Sequence, residues 1–379
     1  MRIGSRGLLS LVPVVALVAV ACSSTPAAST TPTTAATGAA SAGPTGAAGL
    51  PYTATLKDGS TFTLNKRVAD KLKAGTAINY VFDYGSTSIP LFSPQYLAGY
   101  KLTLPQAQAI LPMNGTALAP ASAVQDPNEQ ISQIQALINA DQVDCLSIQS
   151  TGADTFTKIT NDIMAKGIPV FTVGVQSNGN EFTNFTQISN KEGHQAAQIV
   201  IDWMKSSGHS LTTFAVSGGD PTQNWAQGRM QGFIDGITAG VPGAKFLNSA
   251  SAALTTTYDP AGTYDAYKAF ITGNPGIQFI ENVDIGAEHA DRAIKDANLT
   301  GKAFTIGWNV SLGQLDAVKE GTQVAALDQK WGEQAGFGAL ACAQLLKNGV
   351  ILPNSQVLLP VTQANEAQAR ADFLKISGG

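Results

Sequence analysis

The sequence lacks most of the residue patterns that enzymes use for chemistry. It has only three cysteines and three histidines, and it contains no His-Glu-x-x-His or Cys-x-x-Cys motif. A zinc or iron centre is therefore not expected. There is no Gly-x-Ser-x-Gly nucleophile turn and no glycine-rich phosphate loop, and Gly218-Gly219 lacks the glycine spacing of a dinucleotide site. We expect no metal, no cofactor and no catalytic residues.

The chain also has little charge and no excess of positive charge. Lys and Arg number 23 against 27 Asp and Glu, a net charge of −4. This balance gives no attraction for nucleic acid. Several carboxylates could in principle form an acid and base pair or accept hydrogen bonds from a polar ligand: Asp83, Asp220, Asp259, Asp284 and Asp328.

The first 50 residues predict export and a tether. Arg2 and Arg6 precede an apolar run at 8–21 that is too short to span a bilayer stably, and small residues then lead into Cys22. The segment resembles a bacterial lipoprotein signal at 1–21 with Cys22 as the acylated residue, although Ala19 stands where leucine is usual. An ordinary secretory signal with a chance cysteine is the alternative. Residues 22–50 are mostly Ser, Thr, Pro, Ala and Gly, a composition typical of a disordered tether.

The rest of the chain predicts an α/β fold. Residues 53–64 alternate around Asp58-Gly59 like a hairpin, within an extension at 51–75. Amphipathic segments then separate short apolar runs, which favours parallel strands joined by helices. A helix should begin at Asp126-Pro127, whereas prolines should interrupt any long helix between 84 and 124. The predicted strands are 78–82, 145–148, 170–173, 213–216, 277–280, 304–307 and 324–327.

The two cysteines left after Cys22 fall in a predicted strand and a predicted helix. Cys145 and Cys342 could form one disulfide, but we expect two separate buried thiols.

Polar and aromatic residues follow the predicted strands, where an open α/β sheet binds its ligand. Flat rings can cover the C–H faces of a polyhydroxyl ligand, and amides can satisfy its hydroxyls in both directions. Each ring could equally be a core residue. These segments are 86–92, 174–176, 220–227, 282–284, 308–309 and 328–329.

Over roughly residues 76–360 the chain resembles the type I periplasmic sugar-binding proteins of ABC importers, which include the ribose-binding proteins. The resemblance rests on Ser-Thr-Ser-Ile-Pro-Leu-Phe at 86–92, Gly-Ile-Pro-Val-Phe-Thr-Val at 167–173, Gly-Asp-Pro-Thr at 219–222, Arg-Met-Gln-Gly-Phe at 229–233, Thr-Ile-Gly-Trp-Asn at 305–309 and Asp-Gln at 328–329. It implies two doubly wound parallel-sheet lobes joined by a three-crossing hinge. The implied boundaries are 76–187 with 330–358 for lobe 1, and 188–329 with 359–379 for lobe 2.

The resemblance also implies roles for individual residues. Phe92 and Tyr258 match aromatics over the sugar, and Arg229 matches a more structural arginine. Several positions depart from the family: Gly174 and Val175 stand where an Asp-Arg pair is common, Val283 replaces an asparagine, Gln227 falls where a ligand-binding arginine is frequent, and Asn309 takes the place of an aspartate. The pocket should therefore be less charged than usual, which favours a neutral ligand unless Asp83, Asp284 or Arg229 points inward. The expected ligand-binding residues are Phe92, Asn224, Gln227, Tyr258, Asp284, Trp308, Asn309 and Gln329.

The function we expect from the sequence is capture of a small neutral sugar or sugar alcohol for an ABC permease. The protein would act as a monomer outside the cytoplasm, held to the membrane by its lipid and without nucleic acid as a partner. A tethered sugar sensor for a signalling partner is one alternative, and an exported carbohydrate hydrolase is an alternative of a different class. Repressors share the implied fold, but this chain has an export signal in place of a DNA-binding helix-turn-helix.

Overall fold

The computed structural model describes residues 52–89, 91–121, 125–355 and 358–377. The predicted signal and tether, including Cys22, lie outside the described residues. Within those residues, no helix combines the length and the apolar character needed to cross a membrane. The α/β class is confirmed, because parallel strands alternate with helices through most of the described chain.

The first lobe is built on a five-stranded parallel sheet whose strand order is β4-β3-β5-β6-β7. These strands are β3 (Ile78–Asp83), β4 (Met113–Leu118), β5 (Cys145–Ser150), β6 (Val170–Val175) and β7 (Thr183–Gln187). Its helices are α2 (Phe92–Ile110), α3 (Pro127–Asn139), α4 (Thr157–Ala165) and α10 (Trp331–Asn348). Helix α3 begins as predicted, because the Asp126 carboxylate accepts hydrogen bonds from the backbone N–H groups of Asn128 and Glu129.

The second lobe contains a sheet in the order β10-β8-β11-β12-β13-β14, with β9 paired to β8. Its strands are parallel except β14, which runs antiparallel to β13. They are β8 (Thr213–Gly218), β9 (Lys245–Phe246), β10 (Leu254–Thr255), β11 (Phe279–Asn282), β12 (Phe304–Trp308), β13 (Gln323–Asp328) and β14 (Leu359–Val361). Its helices are α5 (Ser189–Ser207), α6 (Asn224–Gly240), α7 (Pro260–Gly273), α8 (Ala287–Asp296), α9 (Leu312–Glu320) and α11 (Glu366–Ser377).

The chain passes between the two sheets three times. It leaves the first lobe after Gln187, returns between Asp328 and Trp331, and crosses again between Ser355 and Leu359. The carboxyl ends of the parallel strands point toward these crossings, since β7 and β13 both end there. All seven predicted strands are present, within two residues at each end.

The predicted N-terminal hairpin is confirmed as β1 (Thr53–Thr55) paired antiparallel with β2 (Thr61–Thr63), followed by α1 (Lys66–Ala74). The Phe62 ring packs edge-on against Phe182 of the first lobe at 4.8 Å. The ammonium of Lys57 pairs with the buried Glu181 carboxylate at 2.6 Å. These contacts join the hairpin to the first lobe.

The expectation that prolines prevent a long helix between 84 and 124 is wrong. Helix α2 runs for 19 residues there and includes Pro94 and Pro105. Pro94 lies in the first turn, where its missing N–H would have no helical partner. Pro105 lies further inside the helix, which is held by packing against α10: Gly99 touches the backbone of Gly332 so closely that a Cβ would not fit.

The expectation of two separate thiols is also wrong, because Cys145 and Cys342 form a disulfide between β5 and α10. Both side chains are fully buried, and their Cα atoms lie 6.4 Å apart, within the range that a disulfide can bridge. The predictions of strand and helix were correct for the two cysteines. The sequence pattern did not reveal that α10 packs directly over β5.

Candidate functional site

A cleft lies where the carboxyl ends of the two sheets face each other. It holds about 560 Å³ of empty space, its open mouth included. The lining residues come from both lobes and are spread along the chain from position 89 to position 331. They are Ile89, Phe92, Tyr96, Gln125, Gln149, Thr151, Gly174, Val175, Gln187, Trp225, Arg229, Tyr258, Asp284, Ile285, Gln329 and Trp331.

Three aromatic rings form one side of the first-lobe wall. Phe92 packs against Tyr96 at 4.5 Å between ring centroids and edge-on against Trp331 at 5.2 Å. The Tyr96 hydroxyl donates a hydrogen bond to Gln334 Oε1 at 2.8 Å, which fixes that ring. The rings thus offer a rigid apolar surface of the kind that covers the C–H face of a ring-shaped ligand.

Glutamine side chains supply the polar part of the first-lobe wall. Gln149 Oε1 accepts a hydrogen bond from the backbone N–H of Gly85 at 3.0 Å, and its Nε2 donates to the Ser150 carbonyl at 3.1 Å. Gln125 donates to the same Oε1 at 3.4 Å. Because Gln149 is bonded on both atoms, its amide has a fixed orientation at the cleft.

Arg229 lies at the floor of the cleft and is almost fully buried. Its Nε donates to the Glu192 carboxylate at 3.2 Å, and Glu192 is itself fully buried. The guanidinium lies over the rings of Trp225 and Trp308, at 5.1 and 5.2 Å from their centroids. The Glu192 charge therefore compensates the arginine charge within the protein.

Asp284 brings a second charged group to the second-lobe wall. Its Oδ1 accepts the backbone N–H of Ile285 at 2.9 Å. Its Oδ2 is buried and has no hydrogen-bond partner of ordinary geometry among the described residues, although the Tyr258 hydroxyl lies beside the carboxylate. Burial raises the pKa of Asp284 to about 6, against the opposing effects of the Ile285 N–H and Tyr258. This oxygen is available to accept a hydrogen bond from a ligand.

Strained backbone surrounds the cleft. Leu91, Thr257 and Lys330 have φ of 66°, 61° and 57°, a region that non-glycine residues rarely adopt, and each precedes a lining residue. Such conformations persist only where the surrounding structure imposes them, and they are frequent at ligand sites. Here they direct Phe92, Tyr258 and Trp331 toward the cleft.

The structure brings four of the eight predicted ligand residues to the cleft: Phe92, Tyr258, Asp284 and Gln329. The other four, Asn224, Gln227, Trp308 and Asn309, are not among its lining residues.

Three of those four have other contacts. Gln227 Nε2 donates to the carbonyls of Pro221 and Ala250, the latter at 2.8 Å. Trp308 is fully buried beneath the arginine, and Asn309 accepts a hydrogen bond from the Gln329 amide. Whether these four bind ligand stays a prediction.

The sequence reasoning missed several lining residues. Tyr96 lies inside α2, where a single ring gives no signal of its direction. Trp225, at the start of α6, falls within the segment 220–227 noted from the sequence but was not among the eight residues named. Gln149 directly follows the predicted strand 145–148, so the residues after that strand could have pointed to it. Gln187 is the last residue of β7, a strand that was not predicted. Arg229 reaches the cleft, whereas Asp83 is fully buried and does not line it.

The chain matches the periplasmic binding protein domain over residues 106–350, more than half of its length. It therefore belongs to the periplasmic binding proteins, and the predicted family and type I fold are confirmed. Such proteins bind solutes for ABC transporters outside the cytoplasm, so the expectation that the chain is not an enzyme is also confirmed. No curated protein is similar enough in sequence to match.

Solved structures share the fold at low sequence identity. A carbohydrate transporter solute binding protein from Agrobacterium radiobacter, in complex with D-arabinose, has a TM-score of 0.64 at 19% identity, covering 79% of this chain and 98% of that one. The Caulobacter myo-inositol binding protein bound to myo-inositol has a TM-score of 0.61 at 18% identity, covering 78% and 97%. A complex of XylFII with LytSN has a TM-score of 0.63 at 16% identity, covering 76% and 98%.

Proposed function

We propose that the protein captures a small neutral sugar or sugar alcohol in the cleft and delivers it to an ABC permease. The observation that carries this proposal is the composition of the cleft: five aromatic rings, four glutamines and one carboxylate, whose buried Oδ2 makes no hydrogen bond of ordinary geometry with the described residues. Rings bind the C–H faces of such a ligand, while amides and a carboxylate bind its hydroxyls. The D-arabinose and myo-inositol complexes of similar fold support this class of ligand.

The charges of the cleft support a neutral ligand. Arg229 and Asp284 both reach the cleft, but Glu192 compensates the arginine, which leaves Asp284 as the remaining charge. This arrangement supplies no net positive charge for a phosphate or carboxylate. A ligand hydroxyl could donate to Asp284 Oδ2, a buried oxygen whose neighbour among the described residues is the Tyr258 hydroxyl and which makes no hydrogen bond of ordinary geometry there.

Contacts between the lobes support capture by closure. Ile285 follows β11 of the second lobe, yet it belongs to the buried apolar cluster of the first lobe, and Tyr258 packs against the same cluster. The ligand would bridge both walls, and its binding energy would favour the closed arrangement. Affinity should therefore depend on residues of both lobes.

We further propose that acylated Cys22 holds the protein at the membrane beside its permease, as the signal at 1–21 predicts. A tethered sensor remains the second candidate, since XylFII is similar in fold and forms a complex with LytSN. Growth of a deletion strain on the ligand separates the two roles. Loss of growth supports the importer, whereas normal growth with loss of induced gene expression supports the sensor.

The experiment that tests ligand capture is a thermal-shift screen of the purified protein against pentoses, hexoses, deoxysugars, inositols and linear polyols. A ligand at about a hundredfold excess over Kd should stabilise the protein by about 2.7 kcal/mol. The compound should be recovered unchanged, and Asp284→Asn should show a smaller shift at the same ligand concentration. Absence of any shift across the panel, or a response only to anionic compounds, would contradict the proposal.

A further inference from the structure

Arg229 makes more hydrogen bonds than a pair with Glu192 requires. Its Nη1 donates to the Val283 carbonyl at 3.0 Å, and its Nη2 donates to Gln187 Oε1 at 2.9 Å and to Gln329 Oε1 at 2.5 Å. With the bond from Nε to Glu192, one guanidinium has four protein acceptors. Its planar arrangement of donors suits such simultaneous contacts.

Three of the four acceptors lie at or beside the first two crossings, and the fourth lies in the second lobe. Gln187 is the last residue of β7 at the first crossing, and Glu192 lies in the first turn of α5 just beyond it. Gln329 lies in the second crossing, directly after β13. Val283 follows β11 in the second lobe. Arg229 therefore binds two crossings to each other and to the floor of the second lobe.

The position of the guanidinium is rigidly set. The guanidinium packs over the rings of Trp225 and Trp308 at 5.1 and 5.2 Å from their centroids, and Arg229 itself is 2% exposed. Gln329 is fixed in turn, because its Nε2 donates to Asn309 and its carbonyl accepts the Gln334 amide at 2.7 Å. Ordinary hinge residues change their backbone angles freely, whereas these two crossings are held together at one point.

We propose that Arg229 is a positioning residue that sets the pivot of the hinge. The two lobes rotate about the guanidinium instead of separating along both crossings, and this restraint favours the closed arrangement. The inference rests on the proposed capture by two closing lobes. Because Gln187 and Gln329 also line the cleft, a ligand that contacts their amides acts directly at the pivot.

The test measures the distance between the lobes without any ligand. Spin labels are placed on cysteines introduced at the exposed Lys158 of α4 and Lys268 of α7. The background is Cys22→Ser, since Cys145 and Cys342 are paired. Pulsed electron resonance then compares wild-type protein with Arg229→Lys, which keeps the charge but loses the planar fork. The Gln329→Met variant loses the hydrogen bond from Arg229 Nη2, so only the second crossing is freed from the guanidinium.

The matched control is Arg370→Lys. Arg370 also binds two carboxylates, Glu366 at 2.6 Å and Asp316 at 2.7 Å, but both partners lie in the second lobe. We expect a broader and longer interlobe distance distribution in Arg229→Lys and Gln329→Met, and an unchanged one in Arg370→Lys.

Unchanged distances in the Arg229 and Gln329 variants, or an equal shift in the control, would overturn the proposal. If Arg229→Lys does not fold, the comparison of Gln329→Met with wild type and Arg370→Lys tests the proposal by itself. Since no ligand is present, the result does not depend on whether the cleft binds a carbohydrate.

Discussion

The two walls of the cleft differ in chemistry. The first-lobe wall consists of aromatic, aliphatic, glutamine and threonine residues together with Gly174, and none of its lining residues is charged. The second-lobe wall carries both charged groups, Arg229 and Asp284. The first wall is thus suited to the shape and apolar faces of a ligand, and the second to its hydroxyls. Gly174 and Val175 lie on the first wall, at the positions where the sequence resemblance implies an Asp-Arg pair in related proteins.

The two lobes also differ in how they are stabilised. The first lobe contains the disulfide between β5 and α10 and carries the N-terminal hairpin and α1. At its outer edge, the fully buried Asp144 pairs with Arg67 and with Lys71. The described part of the second lobe contains no cysteine. The first lobe is therefore cross-linked by a covalent bond, while the second is held by packing, hydrogen bonds and ion pairs such as those of Arg370 with Glu366 and Asp316.

Removing the disulfide should have the largest effect and should act on one lobe. The Cys145→Ala, Cys342→Ala double variant loses a link across 197 residues of sequence, so the first lobe should lose about 2–4 kcal/mol of stability. Hydrogen exchange should show lower protection in β5 and β6, with β11 and β12 unchanged. An equal loss in both lobes would mean that they unfold as one unit.

Asp284→Asn should weaken ligand binding about 10- to 100-fold, because hydrogen bonds to charged groups contribute about 1.5–3 kcal/mol. Calorimetry with the ligand found in the screen measures this effect. Asp259→Asn is the control: Asp259 caps α7 close to Tyr258, and asparagine caps a helix equally well. Equal affinity in wild type and Asp284→Asn would show that the Asp284 charge does not contribute to ligand binding.

Acid should weaken binding through the same carboxyl group. Burial raises the pKa of Asp284 from 3.8 to about 6, so the ligand-free group becomes protonated as the pH falls through 6. Affinity should then fall up to about tenfold per pH unit below 6. In the ligand-free protein, the raised pKa of Asp284 lowers the free energy of unfolding as the pH rises from about 4 to 6. Over this range the unfolded chain releases the Asp284 proton while the folded protein retains it. A pH-independent Kd in wild type would contradict the assignment, and Asp284→Asn should abolish the dependence.

Phe92→Leu should have the smallest effect, about 2- to 10-fold in Kd, since an aromatic contact contributes about 0.5–1.5 kcal/mol beyond the area it buries. Phe337→Leu is the matched control, because Phe337 lies on α10 and packs against Phe185 away from the cleft. A larger loss of affinity in Phe92→Leu than in Asp284→Asn would mean that the first-lobe wall contributes more to binding than the charged second-lobe wall.

Much of the fold follows from local patterns in the sequence. The apolar strands and the Asp126-Pro127 helix start were predicted because burial and capping depend on neighbouring residues. Strands β4 and β7 were missed because they contain polar residues such as Asn114 and Asn184 within their sheet. Helix α2 was missed because its packing on α10 outweighs the cost of Pro105.

The sequence by itself determined the α/β class, the family and the absence of enzymatic motifs, since these depend on residue types and short-range spacing. Only the tertiary structure decided which polar side chains meet. It brought Gln149 to the cleft, turned Gln227 to backbone carbonyls, joined Cys145 to Cys342 and placed Arg229 against both crossings. The physical reason is distance along the chain: these contacts join segments up to 197 residues apart, and their geometry depends on how helices pack on sheets.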